Sequence, residues 1–319
     1  MTEPLLRRLR ARGEDLTVAA VPWVAPVYHA MPQVGRVIEL PFQHGGLQFA
    51  ARRRVARELQ GRFDSAYVLP NSLKSALLPF LASIPRRVGY LGEARVGLLT
   101  HRLKNPRGER PPMVAFYSAL SGHTQGLDED RPRLHVDRSD VVAAVQGQQL
   151  AERGYLVFAP GAEFGPSKRW PERHYAALAN GLDVPVLLLG SGKDGPVCEA
   201  IVQASGTHCR NLAGKTSLAQ AFALIAGARA MVSNDSGLMH VAAALGIPQV
   251  ALFGSSSPLH TPPLNDRAQV VWLKTDPAYQ PPLDCAPCFQ RECPLGHHRC
   301  LEDVDAARVA ALLQAASNA

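Results

Sequence analysis

The sequence predicts an α/β protein whose parallel sheets are doubly wound, with helices on both faces. Three observations carry this. Short apolar, β-rich runs recur along the chain, amphipathic stretches separate them, and polar capping residues and glycines mark the joins. In the second half the runs are YLVFAP (155–160), VPVLLLG (184–190), ARAMVS (228–233), IPQVALFG (247–254) and QVVWL (269–273). Helical stretches lie between them: PERHYAALANGL starting at Pro171, SLAQAFALIAGA after Thr216, and GLMHVAAALG after Asp235. Pro171 suits a first helical position, Thr216 and Asp235 are candidate N-caps, and Gly227 and Gly246 fit the helix ends.

The first half follows the same grammar less regularly. A helix over LLRRLRAR leads to a strand in LTVAAVPWV, a basic helix over AARRRVARELQ and a strand in DSAYVLP (64–70). A further helix, SLKSALLPFLASI, precedes a strand in RRVGYLG, and RPRLHVD reads as a last short strand. The polar, Pro-rich segment 100–112 reads as a surface loop. The crossover between halves falls within 137–152, giving an N-terminal Rossmann-like domain over 1–145 and a second over 146–319. A unit of this kind normally begins with a central strand whose C-terminal loop faces the ligand. This chain opens on a helix, so the first strand of the N-terminal domain is expected to be missing.

Composition narrows the function classes. Apolar residues make up 46% and charged residues 19% of the 319, the make-up of a folded chain rather than a disordered one. Mean hydropathy is near zero, and no apolar run approaches the ~18 residues of a spanning helix. The opening MTEPLLRRLRARGEDL is too charged for a secretory leader, which predicts a cytoplasmic protein. Net charge is +7, and the excess is confined to one half: residues 1–150 hold 21 Lys and Arg against 13 Asp and Glu, and the remainder 13 against 14. The first half should favour something anionic, be it a phosphorylated substrate, an acidic membrane or nucleic acid.

Two segments carry chemistry. In SNDSGLMHVAAALGIPQVALFGSSSP (233–258) a strand ends at Ser233, a polar turn follows and a helix opens at once. Such a helix start offers unpaired N–H groups and partial positive charge at the carboxyl edge of the sheet. Gly237 lets a phosphate approach the backbone, and Ser236 can add a hydroxyl. Asp235 reads equally well as a plain N-cap, and His240 as a satisfied core histidine. In APGAEFGPSKRWPERHYAALA (159–179) the loop at the same edge carries Glu163, Ser167, Lys168 and Arg169. Lys168 is placed to neutralise a diphosphate leaving group, and Trp170 reads as a packing anchor.

Together, PGAEFGPSKRWP and NDSGLMHVAAALGIPQVALFG resemble the ADP-heptose:lipopolysaccharide heptosyltransferases of glycosyltransferase family 9, most of all the heptosyltransferase II branch. The segments at 69–99 and 210–226 resemble the same family. The resemblance implies a GT-B architecture, two Rossmann-like domains with a cleft between them, and an inverting transfer of heptose. It places Gly161, Glu163, Ser167, Lys168, Asp235, Ser236, Gly237 and His240 on the ADP-heptose side, with Lys168 and Asp235 closest to the chemistry. Asn71, Ser72 and Lys74 fall on the side of the sugar acceptor, the heptosyl-Kdo-lipid A precursor of the lipopolysaccharide inner core. The implied location is the cytoplasmic face of the inner membrane, held there by peripheral contact with anionic lipid. No tightly held metal is implied for catalysis. The family's general base is an Asp in a Gly-Asp loop after the first strand. Met1 falls just beyond that loop, so this base is expected to be absent from the sequence, with Glu163 the nearest and a poor substitute.

Cys285, Cys288, Cys293 and Cys300 form C-x2-C-x4-C-x6-C, with His297 and His298 inside it. The spacing suits a four-thiolate structural zinc, and a cross-link or free thiols stay open beside it. Cys198 and Cys209 read as isolated buried thiols. Two other functions remain beside the leading one: a family member with a different sugar acceptor, and a catalytically silent binder of nucleotide-sugar or glycolipid. Nucleic-acid binding is not expected, because basic residues and cysteines lie in opposite halves with no interleaved aromatic residues to stack bases.

Overall fold

The structure is a computed structural model. It describes residues 1–319 except His44, Arg107, Glu109, residues 123–129, Thr207 and Ala319, together with the side chain of Asn318. The chain divides into two compact units, Met1–Asp130 and Arg131–Ala319. The division falls before the 145/146 boundary read from the sequence, because the helix Arg138–Gly147 packs on the second unit's helix Leu218–Gly227. Val141 and Val145 meet that helix at Gly227, where an added Cβ would lie 2.7 Å from Val145 and 2.9 Å from the Tyr155 hydroxyl. Only glycine permits so close an approach.

Among the described residues, the strands of the second unit form one parallel sheet of six. They are β6 (Leu156–Ala159), β7 (Val186–Leu188), β8 (Cys209–Asn211), β9 (Ala230–Asn234), β10 (Gln249–Leu252) and β11 (Ala268–Val271), in the order β11-β10-β9-β6-β7-β8. The chain winds outward from β6 in one direction and then outward from β9 in the other. The carboxyl ends of β6 and β9 therefore frame the topological switch point, where ligands sit in such sheets. Every residue of β6, β7, β9 and β10 is buried, which is why these segments read as continuous apolar runs. Phe158, Trp170, Tyr175 and Val309 belong to the shared core.

Among the described residues, the first unit holds five parallel strands, β1 (Thr17–Ala20), β2 (Arg36–Glu39), β3 (Ser65–Val68), β4 (Arg86–Tyr90) and β5 (His101–Leu103). They form two separate sheets, β1-β2 and β3-β4-β5. The opening helix is Glu3–Ala11, its Leu5 and Leu9 buried with Val88, Tyr90 and Phe116.

Several expectations need correcting. Segment 100–112 is not wholly loop: His101–Leu103 pairs with β4 as an edge strand, which the polar side chains concealed. RPRLHVD forms no strand. The N-caps are Ser217 and Ser236 rather than Thr216 and Asp235, and Ser217 forms a capping box with Gln220. Pro171 sits at the cap, one residue before the helix Glu172–Asn180.

Candidate active site

At the switch point the side chain of Asn234, the last residue of β9, organises what surrounds it. Its Nδ2 donates to the Pro160 carbonyl at 2.7 Å, and its Oδ1 accepts from the Trp170 N–H at 3.0 Å and the Tyr175 hydroxyl at 3.2 Å. One buried amide thus joins the end of β6, the end of its loop and the following helix. The indole Nε1 of Trp170 donates to the Val304 carbonyl, so this residue is the packing anchor the sequence suggested.

This frame holds Lys168 against Asp235, Nζ to Oδ2 2.6 Å, with the carboxylate almost wholly enclosed and the ammonium partly open. Thr261 donates to the other carboxylate oxygen at 3.4 Å. Phe164 lies under Lys168, 5.4 Å from Nζ to the ring centroid, a cation–π contact that positions the ammonium without neutralising it. Asp235 lies at the start of the helix Gly237–Ala244, whose N-cap is Ser236. The Ser236 hydroxyl is buried without a hydrogen-bond partner, and the space an added Cβ at Gly237 would occupy is empty. A cation, an unpartnered hydroxyl and an open helix N-terminus therefore share one edge, and that combination suits a phosphate-bearing ligand. Burial pushes the His240 imidazole down to about 4, with Asp235 opposing and Lys168 reinforcing the shift. His240 is therefore neutral at pH 7 and can donate or accept one hydrogen bond at each ring nitrogen.

The remaining residues expected on the donor side divide in role. A Cβ on Gly161 would lie 2.3 Å from the Asp194 carboxylate, which Ser191 holds through its N–H and hydroxyl. Ser167 does not face open space. Its hydroxyl is buried between Ser255 and the Gln290 carbonyl, where it ties the β6 loop to the β10 loop and to the cysteine segment. Glu163 is exposed and pairs with Lys193 at 3.0 Å, the setting of a surface carboxylate.

In the first unit, Asn71, Ser72 and Lys74 share the turn after β3 and the start of the helix Leu73–Leu81. Arg95, which sequence reasoning passed over, sets that turn. It is fully buried, and its guanidinium donates to the carbonyls of Tyr90 and Pro70 and to Asn71 Oδ1 at 2.9 Å. Lys74 reaches the Gly45 carbonyl at 3.3 Å.

Cys285, Cys288, Cys293 and Cys300 do come together, lining one small pocket with His297 and His298. No disulfide joins any of the four. Burial pushes Cys300 up to about 12, and the three neighbouring sulfurs add to it. At Cys293 burial acts the same way, but the N–H groups of residues 295–298 turn toward the sulfur and bring it below the usual thiol range. Among the described residues, no three or more His, Cys, Asp or Glu side chains are placed to share a metal ion. The pocket gathers the donor set of the expected zinc without its coordination geometry.

The sequence profile of glycosyltransferase family 9 (heptosyltransferase) matches residues 52–298. The chain belongs to glycosyltransferase family 9. Lipopolysaccharide heptosyltransferase 2 of Escherichia coli is 44% identical to it over 295 residues, covering 86% of this chain and 84% of that protein. Lipooligosaccharide heptosyltransferase 2 of Haemophilus influenzae is 42% identical over 293 residues, with the same coverage. Among solved structures, that of E. coli ADP-heptose lps heptosyltransferase II superposes with a TM-score of 0.85 at 39% identity, over 99% of this chain and 94% of that one. A family 9 glycosyltransferase from Veillonella parvula shares the fold, TM-score 0.82 at 20% identity, over 99% and 93%. This family 9 chain is thus a glycosyltransferase enzyme with the parallel α/β fold of the GT-B heptosyltransferases, and the silent-binder reading is not favoured. The Lys168–Asp235 pair and both loops of the switch point fall inside the matched span.

Proposed function

We propose that this enzyme moves a heptose from ADP-heptose to the heptosyl-Kdo-lipid A inner core of lipopolysaccharide, with inversion at the anomeric carbon. The observation that carries the reading is Lys168 held at the open N-terminus of the helix Gly237–Ala244, beside the buried Asp235. In this reading the diphosphate lies on the helix N-terminus, where backbone N–H groups and the Ser236 hydroxyl meet its oxygens. The ammonium of Lys168 bridges it and Asp235. An acceptor hydroxyl oxygen bonds to the anomeric carbon as the carbon–oxygen bond to ADP breaks; the electron pair leaves with ADP, and the hydroxyl proton passes to water. Negative charge then grows on the phosphate oxygen nearest Lys168, so the ammonium stabilises the transition state more than the bound donor. Asp235, oriented by Lys168 and Thr261, faces the sugar and fixes its angle of presentation. Because Lys168 supplies the positive charge, the proposed step calls on no metal. Asn71, Ser72 and Lys74 form the sugar-acceptor side, their turn set by Arg95.

The test is calorimetric titration with ADP and ADP-heptose, followed by a transfer assay on the same sample. Lys168→Ala should retain the fold, weaken ADP-heptose binding and lower kcat/KM by about 100- to 1000-fold, the range for loss of one charge-stabilising group. Unchanged kinetics would remove Lys168 from the site.

A further inference from the structure

Phe289, Gln290 and Arg291, in the middle of the cysteine segment, are fastened to both loops of the switch-point edge. The Phe289 N–H donates to the Ser255 carbonyl at 2.8 Å, in the loop after β10. The Gln290 carbonyl accepts from the Ser167 hydroxyl, and the Arg291 carbonyl from the Ser167 N–H at 3.2 Å, in the loop after β6. Gly165 lies so near that an added Cβ would stand 2.4 Å from the Arg291 carbonyl oxygen. At residue 291 only main-chain atoms make these contacts, so no change of its side chain removes them.

The Arg291 side chain lies over the ring of Phe164, its Cζ 5.8 Å from the centroid. The Lys168 ammonium lies 5.4 Å from the same centroid. Phe164 itself is well exposed for so large an apolar residue, and one ring thus gathers two cations beside the site. What balances them differs. Lys168 pairs with Asp235 at 2.6 Å. The Arg291 guanidinium makes no ion pair or hydrogen bond with the described residues. An arginine serving only to keep the surface hydrated needs neither a backbone held by two loops nor an aromatic ring beneath it.

Lys168 and Asp235 together carry no net charge, and a helix N-terminus supplies only about half a positive charge. The diphosphate of a nucleotide-sugar brings a negative charge on each phosphorus, and a further one develops as its bond to the sugar breaks. Most of that charge is unmet by the pair and the helix. A guanidinium is suited to meet it, because its planar donors take phosphate oxygens two at a time. We propose that Arg291 is the second cation of the donor site and binds the diphosphate alongside Lys168. The inference rests on the reading that this site holds ADP-heptose, and it adds a phosphate-binding residue from outside the two motif loops.

The test titrates the full chain, Arg291→Ala and Arg291→Lys with ADP and ADP-heptose by calorimetry. Adenosine is followed by ligand-observed NMR, which reads weak binding. Arg291→Ala should weaken both diphosphates about 10- to 100-fold, the range for one charge-assisted contact. Adenosine, which has no phosphate, should bind as before. Arg291→Lys keeps the charge without the fork and should recover part of the loss. Urea midpoints should agree in all three proteins, since the backbone contacts persist. Equal ADP affinity with and without the guanidinium would overturn the inference and leave the reading of the site standing. A loss shared equally by adenosine would also overturn it, because it marks a displaced loop rather than a missing charge. If the unsubstituted chain binds neither ADP nor ADP-heptose, the proposed function fails and the inference with it.

Discussion

Asn234 is the residue on which the active-site frame depends. Its amide satisfies the Trp170 N–H, the Tyr175 hydroxyl and the Pro160 carbonyl inside a closed core. Replacing it with Ala removes these hydrogen bonds and leaves buried partners unmet, and each orphaned group costs about 1–3 kcal/mol. Asn234→Ala should therefore be destabilised by roughly 3 kcal/mol or more in urea melts, with donor affinity falling as the β6 loop loosens. His240 gives a pH signature. Its folded pKa of about 4 lies below the ordinary 6.5. Between those values the unfolded chain binds the extra proton, so stability falls as pH drops from 6.5 toward 4 and is unaffected above. His240→Gln should flatten that limb of a stability-versus-pH curve. An unchanged slope would mean that other groups set it.

At the scale of elements, the loop after β6 is shaped by close approaches rather than by regular structure. Gly161→Ala drives a Cβ into the Asp194 carboxylate. It should cost about 1–3 kcal/mol by overpacking and raise KM for ADP-heptose with less effect on kcat; normal stability and KM would show that the loop yields freely. What the sequence disclosed follows the same division. The buried strands of the second unit were legible because apolar residues dominate them, with polar ones only at strand ends (Ser233, Asn234 and Gln249), and the Lys168 and Asp235 loops because helix starts have a polar signature. β2 and β5 were not, since Arg-Val-Ile-Glu and His-Arg-Leu carry charged residues at partly open edges. Arg95 escaped because a lone arginine reads as surface until the carbonyls that enclose it are seen. Ser167 was placed with the donor on motif position, although its hydroxyl is turned inward to bridge loops.

For the whole molecule, the uneven charge sets the last expectation. The first 150 residues carry an excess of eight positive charges while the rest is close to neutral, and no described helix is long and apolar enough to cross a membrane. A lipid-linked sugar acceptor must nevertheless be met at a bilayer, and we propose that the basic half holds the enzyme at the anionic cytoplasmic face. Attraction of this kind acts through exposed charges, so it is strong at low salt and screened within about 8 Å at physiological ionic strength. The chain should co-sediment with vesicles containing 30% phosphatidylglycerol at 20 mM NaCl, a composition and salt chosen for roughly maximal contrast. It should be released largely by 500 mM NaCl and ignore pure phosphatidylcholine. Binding that survives high salt would point to apolar insertion instead. Equal binding to neutral vesicles would separate the charge asymmetry from the membrane altogether, leaving the phosphorylated sugar acceptor as its remaining anionic counterpart.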